Sequence, residues 1–515
     1  MNSMLYKAGG LRASQSLMGL NEWQEKEKHA LNCAVDEEGC LLDNLTLELR
    51  VHPPEVHIDN VTDPKNTIVT IDSANRPGSL VFVVQHLTEL GLRVHSARIS
   101  SDGGWFHDMF VISEADGTKI KSQAKLMSIK QMLNIYMQTE DVVANGDTTD
   151  DAAKVETTVF EISGQDRPGL MADSMQLMTQ NGCDVRSAAV WTYRNRVAIV
   201  FSVTEKGRAI PDAAKTKRLE EMLEDILRSE KGCHHVDAHN RKGIVHYDRR
   251  LHQLMLQDDI EDWRNKRKME RYQQATRTEL PKPASTDSLQ SSENSFRSPK
   301  YDKPIIDISY FSHSNYWTVN IKCRDRTKLL LDTVCSLNDM EFDIYHGTID
   351  ATADGYALQE FFVRPRSGDG DFDEEEAALV KAMLQASIER RFPKGIKVQV
   401  RSMDRFGCMA LLTRKLFNAG LTVTRAKVRT YATSNSSGHT LYIMDSAGGP
   451  PSNEAIEKAL VDCGGFKTAD RNDEGSIGSN TPLVNSHPFS FKFLQRPRHQ
   501  GGSPESYENR FESSL

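Results

Sequence analysis

The chain has 515 residues, a formal net charge of -8, 26% charged residues and 38% hydrophobic residues. Because a chain of this length is too long to fold around a single hydrophobic core, three or four domains of roughly 150 residues each are expected. The mildly acidic balance argues against a basic nucleic-acid-binding protein, and no stretch reaches the roughly 18 consecutive apolar residues of a membrane span.

The N-terminal segment is weakly similar to an organellar transit peptide, because Lys7 and Arg12 precede the first acidic residue, Glu22. A disordered N terminus explains the same residues. The eight cysteines are dispersed without a CxxC pair, which is typical of free thiols in a reducing compartment. We therefore expect a cytoplasmic or nuclear protein, with a plastid location as the alternative.

Four segments of 29 residues align without a gap and are called the first to fourth repeats: 71–99, 162–190, 321–349 and 400–428. Such internal repeats indicate a modular architecture. The fifth and sixth columns of the alignment read Asn75-Arg76, Asp166-Arg167, Asp325-Arg326 and Asp404-Arg405. The eighth column reads Gly78, Gly169, Lys328 and Gly407. Turn-forming residues thus recur at one place in every repeat.

Each repeat predicts a strand, a sharp loop, a helix and a second strand, because period-2 alternation precedes the loop and a helical apolar spacing follows it. Column 21 reads Gly91, Gly182, Glu341 and Gly420. Three of the four helices therefore end at glycine, which favours the left-handed position after a helix. A hairpin turn follows each repeat, and then a second amphipathic helix, over residues 120–136, 212–228, 374–392 and 453–461.

This β-α-β-β-α order, with a possible closing strand, is ferredoxin-like and predicts an α+β protein of four tandem βαββα(β) units. Helices on one face leave the other face or an edge uncovered, so we expect side-by-side pairing, the first repeat with the second and the third with the fourth. The first and third units have too few residues after the second helix for a closing strand. Only Val142-Val143 is available to the first unit, and residues 393–395 leave no room for one after the third, which lacks it or borrows pairing from a neighbour.

The period is broken between the second and third repeats. Residues 247–274 are strongly charged and contain neither Gly nor Pro, which predicts a long helix, and residues 281–299 are rich in Ser and Pro, which predicts a flexible linker. The expected organisation is a disordered segment (1–55), unit one (56–145), unit two (155–245), the helix and linker (246–300), unit three (305–393), unit four (394–468) and a disordered tail (469–515).

The repeated Asp-Arg-Pro-Gly loop within a βαββα unit resembles the ACT domain, a regulatory module that binds small ligands. Four further stretches, 99–106, 249–253, 332–335 and 421–426, are similar to the ACT-domain-repeat (ACR) proteins of plants and algae, which carry several ACT modules and no enzyme domain. The resemblance covers about residues 55–466. It implies amino-acid binding between paired modules, at the loop after the first strand and at the start of the first helix.

The resemblance therefore implies ligand-binding residues in columns five, six, eight and nine. These are Asn75, Arg76, Gly78 and Ser79; Asp166, Arg167, Gly169 and Leu170; Asp404, Arg405, Gly407 and Cys408; and, in the third repeat, Asp325 and Arg326. Free N-H groups at a helix start suit an α-carboxylate, and a loop aspartate either accepts a hydrogen bond from an α-ammonium or caps its own helix.

The four loops differ in how closely they follow the motif. The second repeat carries it complete and is the first choice as a site. Asn75 replaces aspartate in the first repeat and Phe406 replaces proline in the fourth, and both stay plausible sites. Thr327-Lys328 replaces Pro-Gly in the third repeat, so a side chain intrudes at the open position and this loop is expected to be structural.

Several other residue clusters favour structural interpretations. His234, His235, His239 and His246 near Cys233 lack a second ligand pair, so a solvated strand edge is favoured over a metal site. The basic runs 241–250 and 264–271 are interrupted by acidic residues, which favours a solvated helical face. Trp105 and Trp191 are expected to pack on a sheet face or between modules, and Met171, Met175 and Met178 in the core.

No Walker loop, GxGxxG, GxSxG or HExxH motif is present, and the paired carboxylate and His-Asp motifs of bacterial uridylyltransferases are missing. We therefore expect a non-catalytic, amino-acid-binding regulatory protein without a cofactor or metal, with an enzyme or signalling protein as a possible partner and a homo-oligomer as a possible assembly. The alternatives are a protein-protein scaffold and a regulatory subunit of an enzyme of amino-acid or nitrogen metabolism.

Overall fold

A computed structural model of the chain describes the following residues: 54–101, 104–138, 156–227, 234–243, 245–277, 303–313, 315–366, 373–431, 436–460 and 465–469. The N-terminal segment, the linker over 281–299, the C-terminal tail and Val142-Val143 lie outside these residues, as does Cys233.

The described residues form two compact units, each with one eight-stranded antiparallel sheet. From here on, the first unit and the second unit are these two bodies, and each contains two of the four predicted βαββα modules. The first unit contains the first and third repeats, within residues 54–138 and 303–388. The second unit contains the second and fourth repeats, within residues 156–277 and 389–469. The predicted α+β class is confirmed, whereas the predicted pairing of repeats that are neighbours in sequence is wrong.

The first unit has the strand order β1-β2-β4-β3-β11-β12-β10-β9. Its strands and helices are β1 (Glu55–Asp59), β2 (Thr67–Ala74), α1 (Ser79–Glu89), β3 (Arg93–Ser100), β4 (Trp105–Ser113), α2 (Gln123–Gln138), β9 (Ile305–Phe311), β10 (Tyr316–Arg324), α6 (Leu329–Asp339), β11 (Phe342–Ala351), β12 (Tyr356–Pro365) and α7 (Glu374–Glu389). The two repeats meet where β3 pairs with β11.

The second unit has the strand order β16-β13-β15-β14-β6-β7-β5-β8. Its elements are β5 (Thr157–Gln165), α3 (Leu170–Gln180), β6 (Cys183–Tyr193), β7 (Arg196–Glu205), α4 (Ala213–Leu227), β8 (His235–Arg241), α5 (Tyr247–Arg277), β13 (Ile396–Met403), α8 (Cys408–Asn418), β14 (Leu421–Tyr431), β15 (Ser436–Asp445), α9 (Asn453–Leu460) and β16 (Gly465–Ala469). Its two repeats meet where β6 pairs with β14.

The pairing of distant repeats has identifiable contacts. Across β3 and β11, Arg98 forms a 3.0 Å ion pair with Asp350, and a Cβ on Gly347 would lie 3.0 Å from Cδ1 of Ile99. Across β6 and β14, the guanidinium of Arg425 lies 4.9 Å from the ring centre of Trp191, which is buried as an inter-repeat packing residue. Such complementarity is a property of residue pairs, and the hydrophobic periodicity within one repeat carries no trace of it.

The edge strands explain the missing closing strand. In the second and fourth repeats it follows the second helix, as β8 and β16. In the first and third repeats the equivalent edge is occupied by a strand that precedes the repeat, β1 beside β2 and β9 beside β10. The alternation of apolar residues over Ile305–Phe311 carried this signal in the sequence.

The long charged helix is present as α5, and its first half is buried. Leu251, Leu254 and Met255 pack against the sheet face formed by β5, β6 and β7 that lies opposite α3 and α4. Arg250 donates to both carboxylate oxygens of Glu161, which is 1% exposed. The expectation of a solvated helical face is therefore wrong for this half, because the acidic sheet residue supplies a buried partner for the basic run. Residues 264–268 are exposed.

The predicted core methionines of the second repeat are buried: Met171, Met175 and Met178 are at most 8% exposed and lie in the main core of the second unit. The predicted left-handed residues after the first helices are also confirmed, with positive φ at Gly91, Gly182 and Gly420. Glu341 adopts φ 64° at the same place in the third repeat.

Candidate ligand site

The residue before each first helix is in the left-handed conformation. Gly78, Gly169, Lys328 and Gly407 have φ values of 88°, 83°, 65° and 73° and are the N-cap residues of α1, α3, α6 and α8. None of these helices receives a side-chain cap. Asp166 and Asp404 therefore do not occupy the N-cap positions of α3 and α8, which belong to the glycines three residues later.

In the first three repeats, the loop is held in place by the hairpin that follows the repeat. The backbone N-H groups of Asn75, Asp166 and Asp325 donate to Gly104, Asn195 and Gly355, at 2.8–2.9 Å. These three acceptors lie at the predicted hairpin turns. The first strand, the loop and the hairpin of a repeat thus form one backbone frame, which fixes the direction in which the first helix starts.

In three repeats, the arginine in column six donates a hydrogen bond to the C-terminal end of the second helix, which follows the same repeat. Arg76, Arg167 and Arg326 donate to the carbonyl oxygens of Met137, Ile226 and Ile388. Each acceptor is the penultimate residue of α2, α4 or α7. A cation at a helix C terminus satisfies a carbonyl without a helical partner and favours the helix dipole.

Two of these arginines also form ion pairs with the first helix. Arg167 lies 2.8 Å from Asp173 and Arg326 lies 2.9 Å from Asp332. Asp332 is fully buried. The exposed Arg405 instead donates to the sulfur of Met403. The column-six arginines, for which the family resemblance implies a ligand contact, therefore hold helices in three of the four repeats.

Each loop faces the beginning of the second strand in the paired repeat. All four of these strands carry a β-bulge near their start, at His95, Arg186, Tyr345 and Thr424. A bulge redirects a side chain and is common beside functional sites. The residue at the bulge and its neighbours therefore decide what each loop meets.

The loop of the first repeat borders a cavity of about 120 Å³. Its walls are residues 75–81 of the first repeat and Ser101 just after it, together with Val334, Asn338 and 342–345 of the third repeat and Arg366, which follows β12. A volume of this size holds several water molecules at roughly 10–15 Å³ each.

Polar contacts fix the walls of this first-loop cavity. Asn75 donates to Ser101 at 2.8 Å, and Arg366 lies 2.6 Å from Asp343 on the opposite wall. A Cβ on Gly78 would meet no atom within 4 Å. The backbone of this loop is therefore open to a ligand, and both carboxylate and guanidinium groups border the space.

The loop of the second repeat, which the sequence favours, is tighter. Its cavity is about 30 Å³ and includes Asp166, Gly169 and Phe417 among its walls. The Phe417 ring from the fourth repeat lies against Gly169. Burial raises the pKa of Asp166 to about 6, and the neighbouring backbone N-H and guanidinium of Arg167 oppose that rise.

The loops of the third and fourth repeats are closed by ion pairs. Arg93 lies 2.5 Å from Asp325, whose side chain is 8% exposed. Arg186 lies 2.9 Å from Asp404, whose side chain is 15% exposed. The cavity beside Asp404 is only about 10 Å³, and a Cβ on Gly407 would lie 2.9 Å from Thr179.

A buried polar cluster underlies the fourth loop. Ser402 lies 3.1 Å from Nε2 of His439, 2.8 Å from Ser437 and 3.3 Å from the sulfur of Cys408. Burial lowers the pKa of His439 to about 4. Sequence comparison of the repeats did not identify His439, since the other repeats place Asp108, Ile199 and Gln359 at this point of the sheet.

Among the described residues, no three His, Cys, Asp or Glu side chains are arranged to hold a metal ion. His235 and His239 lie on the edge strand β8. Within the same residues, no helix combines the length and apolar character that crossing a bilayer requires.

Comparison with known proteins decides the family. The ACT domain-containing protein ACR4 of Arabidopsis thaliana is 33% identical over 407 residues, which are 78% of this chain and 82% of that protein. The chain belongs to the ACR family of ACT domain-containing proteins. The family model for the ACR N-terminal ACT domain matches residues 62–140, and ACR8 of Arabidopsis thaliana is 32% identical over 429 residues, 82% of this chain and 86% of that protein.

A shorter similarity links this ACR chain to an enzyme. A bifunctional uridylyltransferase/uridylyl-removing enzyme of Rhodospirillum rubrum is 36% identical over 81 residues, which are 16% of this chain and 9% of the enzyme. The similarity therefore concerns a segment of about the size of one ACT module.

Proposed function

We propose that the protein is a non-catalytic regulator that binds a free amino acid, and that its four repeats are ACT modules working in two pairs. Membership of the ACR family supports the regulatory role. The first repeat pairs with the third and the second pairs with the fourth. Each loop therefore faces the other module of its pair, which is where such a role needs it. Buried free cysteines, Cys183, Cys323 and Cys335, support a reducing compartment such as the cytoplasm or nucleus.

The observation that carries the proposal is the cavity of about 120 Å³ at the first loop. The uncapped start of α1 supplies backbone N-H groups and the positive end of a helix dipole, which suit an α-carboxylate. Asp343 on the facing wall supplies an acceptor for an α-ammonium, and Val334 and Phe342 supply an apolar surface for a side chain. The chemistry therefore fits a zwitterion better than a simple anion.

The proposed order of sites differs from the order that the sequence favours. The first loop has an open glycine and the largest of the three cavities, whereas Phe417 packs on the second loop. We therefore expect the ligand at Asn75, Gly78 and Ser79 before Asp166, Arg167, Gly169 and Leu170.

Calorimetric titration of the full chain with each of the twenty amino acids tests this proposal. We expect one amino acid to bind, Asn75→Leu to reduce its affinity at least tenfold, and Asp166→Leu to leave it within twofold. The two variants change the same alignment column, so each controls for the other.

The reverse pattern would assign the ligand to the second loop, as the sequence favours. Absence of heat with all twenty amino acids would contradict amino-acid binding, provided that thermal unfolding also shows no shift, since a ligand of the native state must raise its stability.

A scaffold is the second candidate function. The observation that favours it is the closure of Asp325 and Asp404 by arginines, which leaves these loops as structural contacts. A scaffold predicts a partner protein that stays bound in the absence of added amino acid and whose binding is unchanged by Asn75→Leu. Copurifying enzymatic activity that depends on this chain would instead identify a regulatory subunit.

A further inference from the structure

Two of the four loops are occupied by a guanidinium from the paired repeat. In the first unit, Nη2 of Arg93, from the first repeat, reaches Oδ2 of Asp325 in the third. In the second unit, Nη1 of Arg186, from the second repeat, reaches Oδ2 of Asp404 in the fourth. Both aspartates stand in column five, where an α-ammonium contact is expected.

The two arginines do not occupy equivalent positions in the alignment. Arg93 is in column 23, before the bulge of β3, and Arg186 is in column 25, at the bulge of β6. Duplication of one ancestral repeat would place an inherited ion pair in a single column. The same contact therefore arises from two different backbone positions, which favours selection for a guanidinium at the loop aspartate over inheritance of a surface pair.

The other two loops meet different residues in these columns. The loop of the first repeat faces Asp343 and Tyr345, and the loop of the second repeat faces a strand that carries Thr422 and Thr424. Neither pair contains a cation. In each unit, the column-five aspartate of one loop, Asp325 or Asp404, is thus paired with an arginine of the other repeat, whereas column five of the other loop holds Asn75 or Asp166.

The ion pairs of Arg93 with Asp325 and of Arg186 with Asp404 are partly buried, unlike ordinary surface ion pairs. Asp325 and Asp404 are nearly enclosed, whereas Arg93 and Arg186 keep about one third of their side chains exposed. A buried carboxylate needs a permanent cation or hydrogen-bond donors, because leaving it unpaired is costly. The exposed part of each arginine gives water, and hence a small solute, an approach to the pair.

We propose that the loops of the third and fourth repeats are binding sites for an organic cation of the alkylguanidinium class, and that the chain fills them itself with Arg93 and Arg186. The two arginines act as resident ligands that hold paired repeats together. A free ligand enters these loops only when the arginine leaves. This inference rests on the two ion pairs and does not require the amino acid proposed for the first loop.

Carbodiimide labelling of carboxylates, read by mass spectrometry on the full chain, tests the proposal. We expect Arg93→Met to raise labelling of Asp325 at least threefold without changing Asp404, and Arg186→Met to do the converse. Millimolar ethylguanidinium should then return the labelling of the affected aspartate towards the wild-type level and should not alter the wild-type protein.

Arg98→Met is the matched control, because Arg98 lies on the same strand as Arg93 and pairs with Asp350 of β11 at an exposed site. It should leave Asp325 protected with or without ethylguanidinium. Unchanged labelling of the loop aspartates in the arginine variants, or increased labelling that ethylguanidinium does not reverse, would overturn the proposal.

A variant that does not fold is also informative. If Arg93→Met is unfolded by circular dichroism, the exchanged pair Arg93→Glu with Asp325→Arg should restore folding, because it rebuilds the contact with reversed charge. Failure of the exchanged pair to fold would overturn the assignment for the third loop, while the Arg186 variants decide the fourth independently.

Discussion

The ring of Phe417 packs directly against Gly169. A Cβ built on Gly169 would lie 2.9 Å from Cε2 and 3.1 Å from Cζ of that ring. Gly169 also has φ 83°, which side chains other than glycine rarely adopt. The glycine of the complete Asp-Arg-Pro-Gly motif thus serves backbone conformation and packing between repeats at once.

Gly169→Ala should cost more stability than a glycine substitution at a left-handed position with free space. We expect the loss to exceed that of Gly420→Ala by about 1–3 kcal/mol, because overpacking adds to the shared backbone strain. Gly420 is the matched control in the same unit, with φ 72° and no atom within 4 Å of a Cβ. Urea unfolding measures both losses, and Phe417→Ala should remove the excess; equal losses at the two glycines would contradict the packing role.

Arg326→Ala should destabilise the protein by about 3–5 kcal/mol, since it removes the ion pair between Arg326 and the fully buried Asp332. Arg405→Ala changes the same alignment column in the fourth repeat, where the arginine is exposed, and should cost less than about 0.5 kcal/mol. Urea denaturation of both variants checks the difference. Comparable losses would mean that the helix contacts of Arg326 contribute little.

Glu341→Gly should stabilise the first unit by about 0.5–1 kcal/mol, because Glu341 adopts φ 64° where the other repeats place glycine. Glu341→Ala is the matched control, since alanine removes the charged side chain and retains the backbone strain. Thermal unfolding should show a higher midpoint for the glycine variant alone. A gain of equal size with alanine would assign the effect to the side chain.

Asp108 should make stability fall as the pH rises through the weakly acidic range. This carboxyl is 1% exposed, and burial raises its pKa to about 7. Because the unfolded group titrates near 3.8, the folded state binds more protons between about pH 4 and 7, so the free energy of unfolding decreases with increasing pH over that window.

Asp108→Asn should therefore be increasingly more stable than the parent from pH 5 to pH 7, by no more than about 1.4 kcal/mol per pH unit, and the difference should level off above that range. Urea unfolding at pH 5, 6, 7 and 8 measures it. Asp116→Asn, an exposed change in the same unit, is the control and should show no such rise. A pH-independent difference for Asp108→Asn would show that its titration does not contribute.

Local structure was predictable because the strands and helices of each repeat are determined by residues within that repeat. The alternation before the loop, the helical spacing after it and the glycine near column 21 depend on residues close in sequence. The first helix of every repeat and the long helix α5 accordingly lie where the sequence indicates. The burial of α5 was not predicted because Arg250 and Leu251 contact residues that are distant in sequence, such as Glu161 for Arg250.

The candidate site was only partly predictable for the same physical reason. The motif identifies the loop backbone, while the facing residue comes from another repeat. Arg93, Arg186 and Phe417 have no local signature, and only the β3 to β11 and β6 to β14 pairings bring them to the loops. Columns 23 and 25 reach the loop of the paired repeat, so their role follows only from which repeats pair.

The interleaved strand order also constrains how the protein is made. Arg98 and Asp350 meet across 252 residues of chain, and Thr192 and Thr424 across 232. On a ribosome that releases the chain from its N terminus, the β3 and β6 edges both emerge long before their partners, and each is a surface that antiparallel strands join. The first two repeats are therefore exposed to incorrect pairing with each other during synthesis, the very arrangement that the finished protein avoids.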